Sequence, residues 1–572
     1  MRMLTSALTI AALAAPTNGA ASVATIEPVV LTGEHPPGAP EGALLCCIDY
    51  GVGFNDLGQV AFTGGLEIGP GGVTLESAGV VFGPDADGNL TMLARAGEPA
   101  PGAAFGVLFG NYFRAPRLND DGLLIFLGHA GYFGIWGTNH SGSVGLLAGA
   151  GTQPPGAPEG AIFYSLGGFP LFNDTGELTF DGSLQPGVGG VYSWNDTGIW
   201  GPDSLGNLSL IAQEGSQAPD APPGARFDAF RFPDLNDQGD LAFLGTLRAG
   251  FGGVTVADDA GLWGPDGSGA LGLLVREGDP APGAPDGARF RDFFLYTVPD
   301  LNDAGEVAFL GLLEVGPGGV TEDDDLGIWI TDGVGTLQMI AREGDPAPGA
   351  PDGARFSGFD SPLLNDRGEI AFRGYLQVGP GGVTYESSIG IWGPDAGGDL
   401  TLRVWSGDPV PEVAPPARFV GFYGIHLNDE GELALHAEVE GAGGDLDRDG
   451  IFFSEKGGDT VQIVLQGDTL ELTAGDLREL GLPQIAGLND SKQVAFAAYL
   501  SGEQGLFIAT VPEPSERLLQ TSAALAVAGL LAVRRRGTPT SPATRGSPRA
   551  RSRVCGSDPT PGTASRPAGA GP

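Results

Sequence analysis

The sequence predicts an all-β protein: eight tandem four-stranded repeats forming an eight-bladed β-propeller closed by its N-terminal strand, followed by one C-terminal transmembrane helix. Three observations carry that expectation. An Asn-Asp-x-Gly turn followed by apolar residues begins at Asn55, Asn119, Asn173, Asn236, Asn302, Asn365, Asn428 and Asn489, spaced by 54 to 66 residues, with Lys492 in place of the last glycine. A Gly-Ile-Trp-like element and a Gly-Asp-Pro-Ala-Pro-Gly-like loop keep step with it, the loop starting 21 to 24 residues before each Asn. Third, the ends of the array are complementary. The eighth copy stops at Gly505-Leu506-Phe507-Ile508, one strand short, while Ile26 to Thr32 occupies a fourth-strand position with no unit before it. Closing the ring on that segment removes the exposed edges of an open array. An open solenoid or a string of small sandwiches remains the structural alternative.

Composition bounds the rest. Gly and Pro number 99 and 46 of 572 residues, a share at the border of disorder. With 41% hydrophobic residues, the glycines read as turn punctuation around a large core. A net charge of −41 excludes nucleic acid and anionic lipid surfaces as partners, since both would be repelled.

Taken in chain order, residues 1–24 read as a secretory signal peptide. Arg2 supplies the positive start, Leu4 to Ala15 the short apolar run, and Ser22-Val23-Ala24 a small-x-small cleavage site. Residues 25–510 form the repeat ectodomain. In the sixth copy, Ala354 to Leu364 is the first strand and Asn365-Asp366-Arg367-Gly368 a type I turn with a left-handed glycine. Glu369 to Leu376 is the second strand, with Ile370, Phe372 and Tyr375 pointing inward. Gly390 to Trp392 opens the third, and Leu400 to Trp405, alternating Leu400, Leu402 and Val404, is the fourth. The recurring Gly-Pro-Gly-Gly-Val-Thr stretches lack a lysine and read as loops, not phosphate cradles. Trp136, Trp200, Trp263, Trp329 and Trp392 hold one strand position each, which favours core packing over sugar stacking.

Asn-x-x-Gly-x-x-Ala-Phe, complete at Asn55, Asn236, Asn302 and Asn365, resembles the choice-of-anchor tandem-repeat family of exported proteins. Residues 511–536 resemble a PEP-CTERM sorting signal. They comprise Val511, Pro512, Glu513 and Pro514, an apolar segment 518–533, and Arg534, Arg535 and Arg536. The apolar run would span about 24 Å as a helix, with the arginines left cytoplasmic. These resemblances imply an exported protein handled by an exosortase-like membrane enzyme. It would be anchored through the C-terminal helix, then displayed at the cell surface or in extracellular matrix. A plain single-pass anchor or a buried helix are the alternatives for 518–533. Residues 537–572, rich in Arg and Pro, follow as a tail with no core-forming pattern.

The expected function is non-catalytic adhesion or ligand binding, with an exopolysaccharide or other surface polymer as partner. The alternatives are an extracellular polysaccharide-active hydrolase or lyase on the same scaffold, or a purely structural surface protein. No catalytic or cofactor-binding residue is assigned: the five histidines share no repeat position, and no nucleophile elbow or His-Glu-x-x-His is present. Calcium is the one ion the acids suggest. Asp445, Asp447 and Asp449 alternate as in a calcium loop, although Arg448 interrupts them and solvated surface charge is the competing reading. Acids before other third strands, Asp196, Asp258-Asp259 and Glu322 to Asp325, are expected to form a negative rim on one face of the disc. Cys46-Cys47 and Cys555 make no disulfide framework.

Overall fold

The computed structural model describes residues 24–513, except 50, 168, 294–297, 334, 412, 414–416, 442–447 and 474. All but Glu513 belong to one compact unit ending at Pro512. The signal peptide apart from its final residue, segment 518–533, Pro514, Arg534, Arg535, Arg536 and the tail lie outside the described residues, as do Asp445 and Asp447. No helix among the described residues is long and apolar enough to cross a membrane.

The described residues form eight antiparallel sheets in chain order, each the blade of a propeller. The sixth copy is representative. Its second to fourth strands are Ile370–Leu376, Ile389–Pro394 and Leu400–Trp405. Its first strand is broken into Phe356–Phe359 and Leu363–Leu364, both paired with the second. The continuous strand predicted over 354–364 is interrupted for a physical reason. Pro362 has no N–H to offer the ladder, so pairing lapses around it and resumes beyond. Pro116, Pro170, Pro233 and Pro299 hold the same position, three residues before the turn Asn, in blades 2 to 5.

Ring closure follows the expected route. Thr25–Leu31 pairs antiparallel with Glu503–Thr510, Thr25 opposite Thr510 and Leu31 opposite Gly505, and becomes the outermost strand of the eighth blade. That blade has one element more than predicted, a hairpin strand Thr469–Thr473 on its inner strand Asp476–Leu488.

The core lies between blades. Each apolar cluster draws on two neighbours: Ala308, Leu310, Ile328 and Ile330 of blade 5 pack against Phe356, Phe372 and Trp392 of blade 6. Both faces of every sheet are therefore buried, so Ala371 is as inaccessible as Phe372, and it faces blade 7. Of the predicted inward set, Ile370 and Phe372 are buried, whereas Tyr375 is half-buried and reaches the Asp360 carboxylate with its hydroxyl at 3.4 Å. In the fourth strand a bulge breaks the alternation. Leu402 pairs with Trp392 and Val404 with Ile391, so Val404 turns to the opposite interface from Leu400 and Leu402.

Two sequence landmarks turn out to be one device. Trp136, Trp200, Trp263, Trp329 and Trp392 are fully buried, and each indole N–H donates to a proline carbonyl of its own copy's Pro-rich loop. The acceptors are Pro101, Pro155, Pro219, Pro282 and Pro348, at 2.9 to 3.1 Å. The loop is held because it supplies the only polar group a buried indole needs.

Candidate functional site at the channel mouth

The first strand of each blade is the innermost, and these strands adjoin around the axis. Its chain direction puts all eight Asn-Asp turns at one mouth of the central channel. Within a turn the geometry is local: Asn365 Oδ1 accepts the N–H groups of Arg367 and Glu369, and Gly368 takes φ 75°. Lys492 accepts the same left-handed conformation, φ 58°, in the eighth copy. A side chain costs something there, and Lys492 makes an ion pair with buried Glu432 at 3.0 Å.

Between turns the geometry is cooperative. Each turn Asn donates its side-chain N–H to the backbone carbonyl of the next blade's Asn, from Asn55 to Asn119 onward around to Asn489 and back to Asn55, at 2.8 to 3.2 Å. A second closed ring lies beside it. The backbone N–H of Asp56 donates to the Asp120 carboxylate, Asp120 to Asp174, and so on through Asp237, Asp303, Asp366, Asp429 and Asp490 back to Asp56, at 2.6 to 3.0 Å. Eight carboxylates thus border the mouth. Five of them, Asp56, Asp120, Asp174, Asp237 and Asp303, line an open cavity of about 360 Å³ whose wall also includes the apolar Phe54, Leu118, Phe172 and Leu488. Burial, reinforced by neighbouring ring carboxylates, holds Asp120, Asp174, Asp237, Asp303, Asp366 and Asp429 above the usual aspartate range, and takes Asp490 to about 6.

Deeper in the channel the eightfold pattern is broken. The position two residues before the turn Asn holds Arg117, Asp234, Asp300 and His426 in blades 2, 4, 5 and 7, and Gly or Leu in the others. Asp234 accepts the N–H of Leu301 at 2.9 Å, and Asp300 that of Leu364 at 2.8 Å, each from the next blade. Burial takes Asp234 to about 6 and Asp300 to about 7, and pulls His426 down to about 4. Arg117 and Asp234 attract each other although their blades are not neighbours, so the interaction crosses the channel.

A third constellation lies on blade 7. His436 Nε2 stands 3.2 Å from Asp449 Oδ1, the Tyr423 ring lies 5.4 Å from the imidazole, and the Tyr423 hydroxyl donates to Glu438. Burial, opposed by Asp449, keeps His436 below its ordinary value and therefore neutral at pH 7. No sequence motif marks this set, because its members come from three strands.

The predicted sites fare unevenly. Asp449 faces His436, while Asp445 and Asp447 fall outside the described residues. Among the described residues no group of three or more His, Cys, Asp or Glu is placed to hold a metal ion. The acids before the third strands lie on the opposite face from the Asn-Asp turns, and several are paired. Asp258 meets Arg276 at 2.6 Å, Asp324 meets Arg342 at 3.1 Å, and Asp325 meets Arg291 at 3.6 Å. The acids that converge are those of the turns, which the sequence marks only as turn residues. Val511 is buried, its N–H bonded to the Lys492 carbonyl, so the start of the sorting-like segment is docked on the eighth blade.

These features define an eight-bladed β-propeller whose axis is lined by ionisable side chains. The chain belongs to a family of unknown function, DUF7453, matched over residues 19–280, 132–346 and 267–518. No curated protein matches the sequence. Among solved structures it is similar to the Dos1 propeller, at 7% identity and TM-score 0.34, over 84% of this chain and 94% of that one. It is also similar to the propeller domain of the Trilobed protease from Pyrococcus furiosus, at 12% identity and TM-score 0.33, over 74% and 97%. The polysaccharide lyase Uly1 matches at 11% identity and TM-score 0.33, over 73% and 91%. Likeness at this level says nothing about activity.

Proposed function

We propose that the protein is exported, sorted by an exosortase-like system through the signal in residues 511–536, and displayed at the surface or in matrix. There it binds a cationic group of a surface polymer without chemical conversion. The observation that carries this reading is the closed ring of eight aspartates at one channel mouth, five of which line an open cavity. Each ring carboxylate accepts the preceding blade's Asp N–H with one oxygen, which leaves the other outside that ring of backbone bonds. Beyond burial, repulsion between ring carboxylates raises the proton affinity of seven of them, and a bound cation would relieve that repulsion. Because no group of three described acids is placed for a metal ion, an extended organic cation carrying ammonium groups suits the ring better than calcium. Calorimetric titration with tri-lysine and with glucosamine oligomers tests this. The proposal expects binding that weakens with salt, takes up no proton, and drops at least about tenfold in the double variant Asp174→Asn, Asp237→Asn. Equal binding by that variant would overturn it. Titration with Ca²⁺ followed by chelator tests the calcium alternative.

A second reading, a polysaccharide-active enzyme, is favoured by Tyr423, His436, Asp449 and Glu438, a neutral imidazole held between a phenol and a carboxylate. Product formation from acidic polysaccharides that disappears in His436→Ala would establish it.

A further inference from the structure

Two cysteines that are neighbours in a strand should point to opposite faces of the sheet. Cys46 and Cys47 do not. Their strand, Leu45–Ile48, slips register between Leu45 and Cys47, with Leu45 opposite Leu66 and Cys47 opposite Gly65. This bulge turns both side chains to one side. The sulfurs lie 3.1 Å apart, and both stand over Gly65, where a Cβ would come within 2.9 Å of one and 3.0 Å of the other. The pair is reachable from solvent, Cys46 exposed and Cys47 half-buried.

Two outcomes are open to such a dithiol. A disulfide between adjacent residues is disfavoured, because neighbouring Cα atoms are about 3.8 Å apart, inside the usual 4.4 to 6.8 Å of a bridged pair. A bond so strained is readily reduced. Chelation carries no such cost. With sulfur–metal bonds of about 2.3 Å, a tetrahedral ion needs sulfurs roughly 3.8 Å apart, whereas the observed separation subtends roughly 85° at the bound atom. Angles near 90° belong to pyramidal, three-coordinate soft elements. Two sulfur donors at this spacing favour a soft, strongly thiophilic centre.

We propose that Cys46 and Cys47 form a two-sulfur chelating site for a trivalent, pyramidal thiophilic metalloid of the arsenic class. With an organoarsenic oxide the step balances without oxidation: two S–H bonds break, two As–S bonds form, and the oxide oxygen leaves with both protons as water. The test uses the full chain carrying Cys555→Ser, reduced and then titrated with phenylarsine oxide. Native mass spectrometry should show a single adduct that survives excess 2-mercaptoethanol and is removed by 2,3-dimercaptopropanol. Cys46→Ser and Cys47→Ser, each read beside an unchanged circular dichroism spectrum, should bind at least about 100-fold more weakly, since a chelate's second bond is intramolecular. Retained tight binding in either variant would overturn the proposal. So would a Cys46–Cys47 disulfide that resists mild reduction.

Discussion

Raising the pH from 5 to 8 should destabilise this protein, contrary to the behaviour of an acidic protein whose carboxylates sit in ion pairs. Asp300, Glu277 and Glu343 titrate at about 7 in the fold, and Asp234 and Asp490 at about 6, in every case chiefly through burial. Their ordinary values are 3.8 for Asp and 4.5 for Glu. A carboxyl held high in the native state binds its proton there before the unfolded chain does. Its contribution is complete below the unfolded value and is lost as pH climbs through the folded one. For Asp300 the full loss corresponds to roughly 4 kcal/mol. His426, drawn down to about 4 by burial, works in the opposite sense below pH 6.5 and offsets part of the gain. Although burial pushes them up, Asp258 and Asp324 are held low by bonds from Thr255 and Thr321 and by Arg276 and Arg342, so they titrate below this window. Five raised carboxyls outweigh the histidine. The net expectation is a fall in unfolding free energy on the order of 5 kcal/mol between pH 5 and 8. Urea denaturation at several pH values, followed by tryptophan fluorescence, measures it. Asp300→Asn retains an oxygen for the Leu364 N–H and removes the charge, so at pH 8 it should be more stable than the parent by about 2 to 4 kcal/mol. A flat profile, or stability rising with pH, would refute the reasoning.

Other outcomes follow from the same contacts. Asn365→Ala removes acceptors for two N–H groups and the donor to the Asn428 carbonyl in a buried setting, and should lower stability by about 3 to 5 kcal/mol in the same assay. Trp329→Phe leaves the Pro282 carbonyl without its indole and opens a cavity, at a cost of about 2 to 4 kcal/mol by denaturant midpoint. His436→Gln, which cannot ionise, should leave cation binding at the Asp ring unchanged by calorimetry, because the residue lies outside that ring.

Much of the fold could be read from residue order, because each blade repeats the same local problem. The buried indole and its proline acceptor appear in sequence as two landmarks in fixed phase, and the missing eighth fourth strand appears as a leftover segment before Gly33. The irregularities of the inner strands are also written there: the strand breaks at Pro170, Pro299 and Pro362 and slips register at Pro116 and Pro233, where the period-two pattern alone predicts continuous strand. Facing patterns were harder. With a blade packed on each side, Ala371 and Phe372 are equally buried, and period-two alternation no longer separates core from surface. The site was the least legible part. Asp366 has a sufficient local explanation as a turn residue, and its bond to Asp429 exists only once neighbouring blades are placed. Arg117 and Asp234 influence each other from blades 2 and 4, a proximity that no sequence separation encodes, and the Cys46 and Cys47 sulfurs come to one side only through a bulge.

The central claim is that the segment Thr25–Leu31 completes the eighth blade and thereby closes both hydrogen-bonded rings. Hydrogen–deuterium exchange of the native protein, resolved to peptides covering residues 25–31 and 493–500, tests it directly. Closure predicts that the amides of Thr25–Leu31 bonded to Glu503–Thr510 exchange as slowly as those of Gln493–Leu500. Exchange within seconds throughout 25–31, beside a protected Gln493–Leu500, would contradict the closed ring.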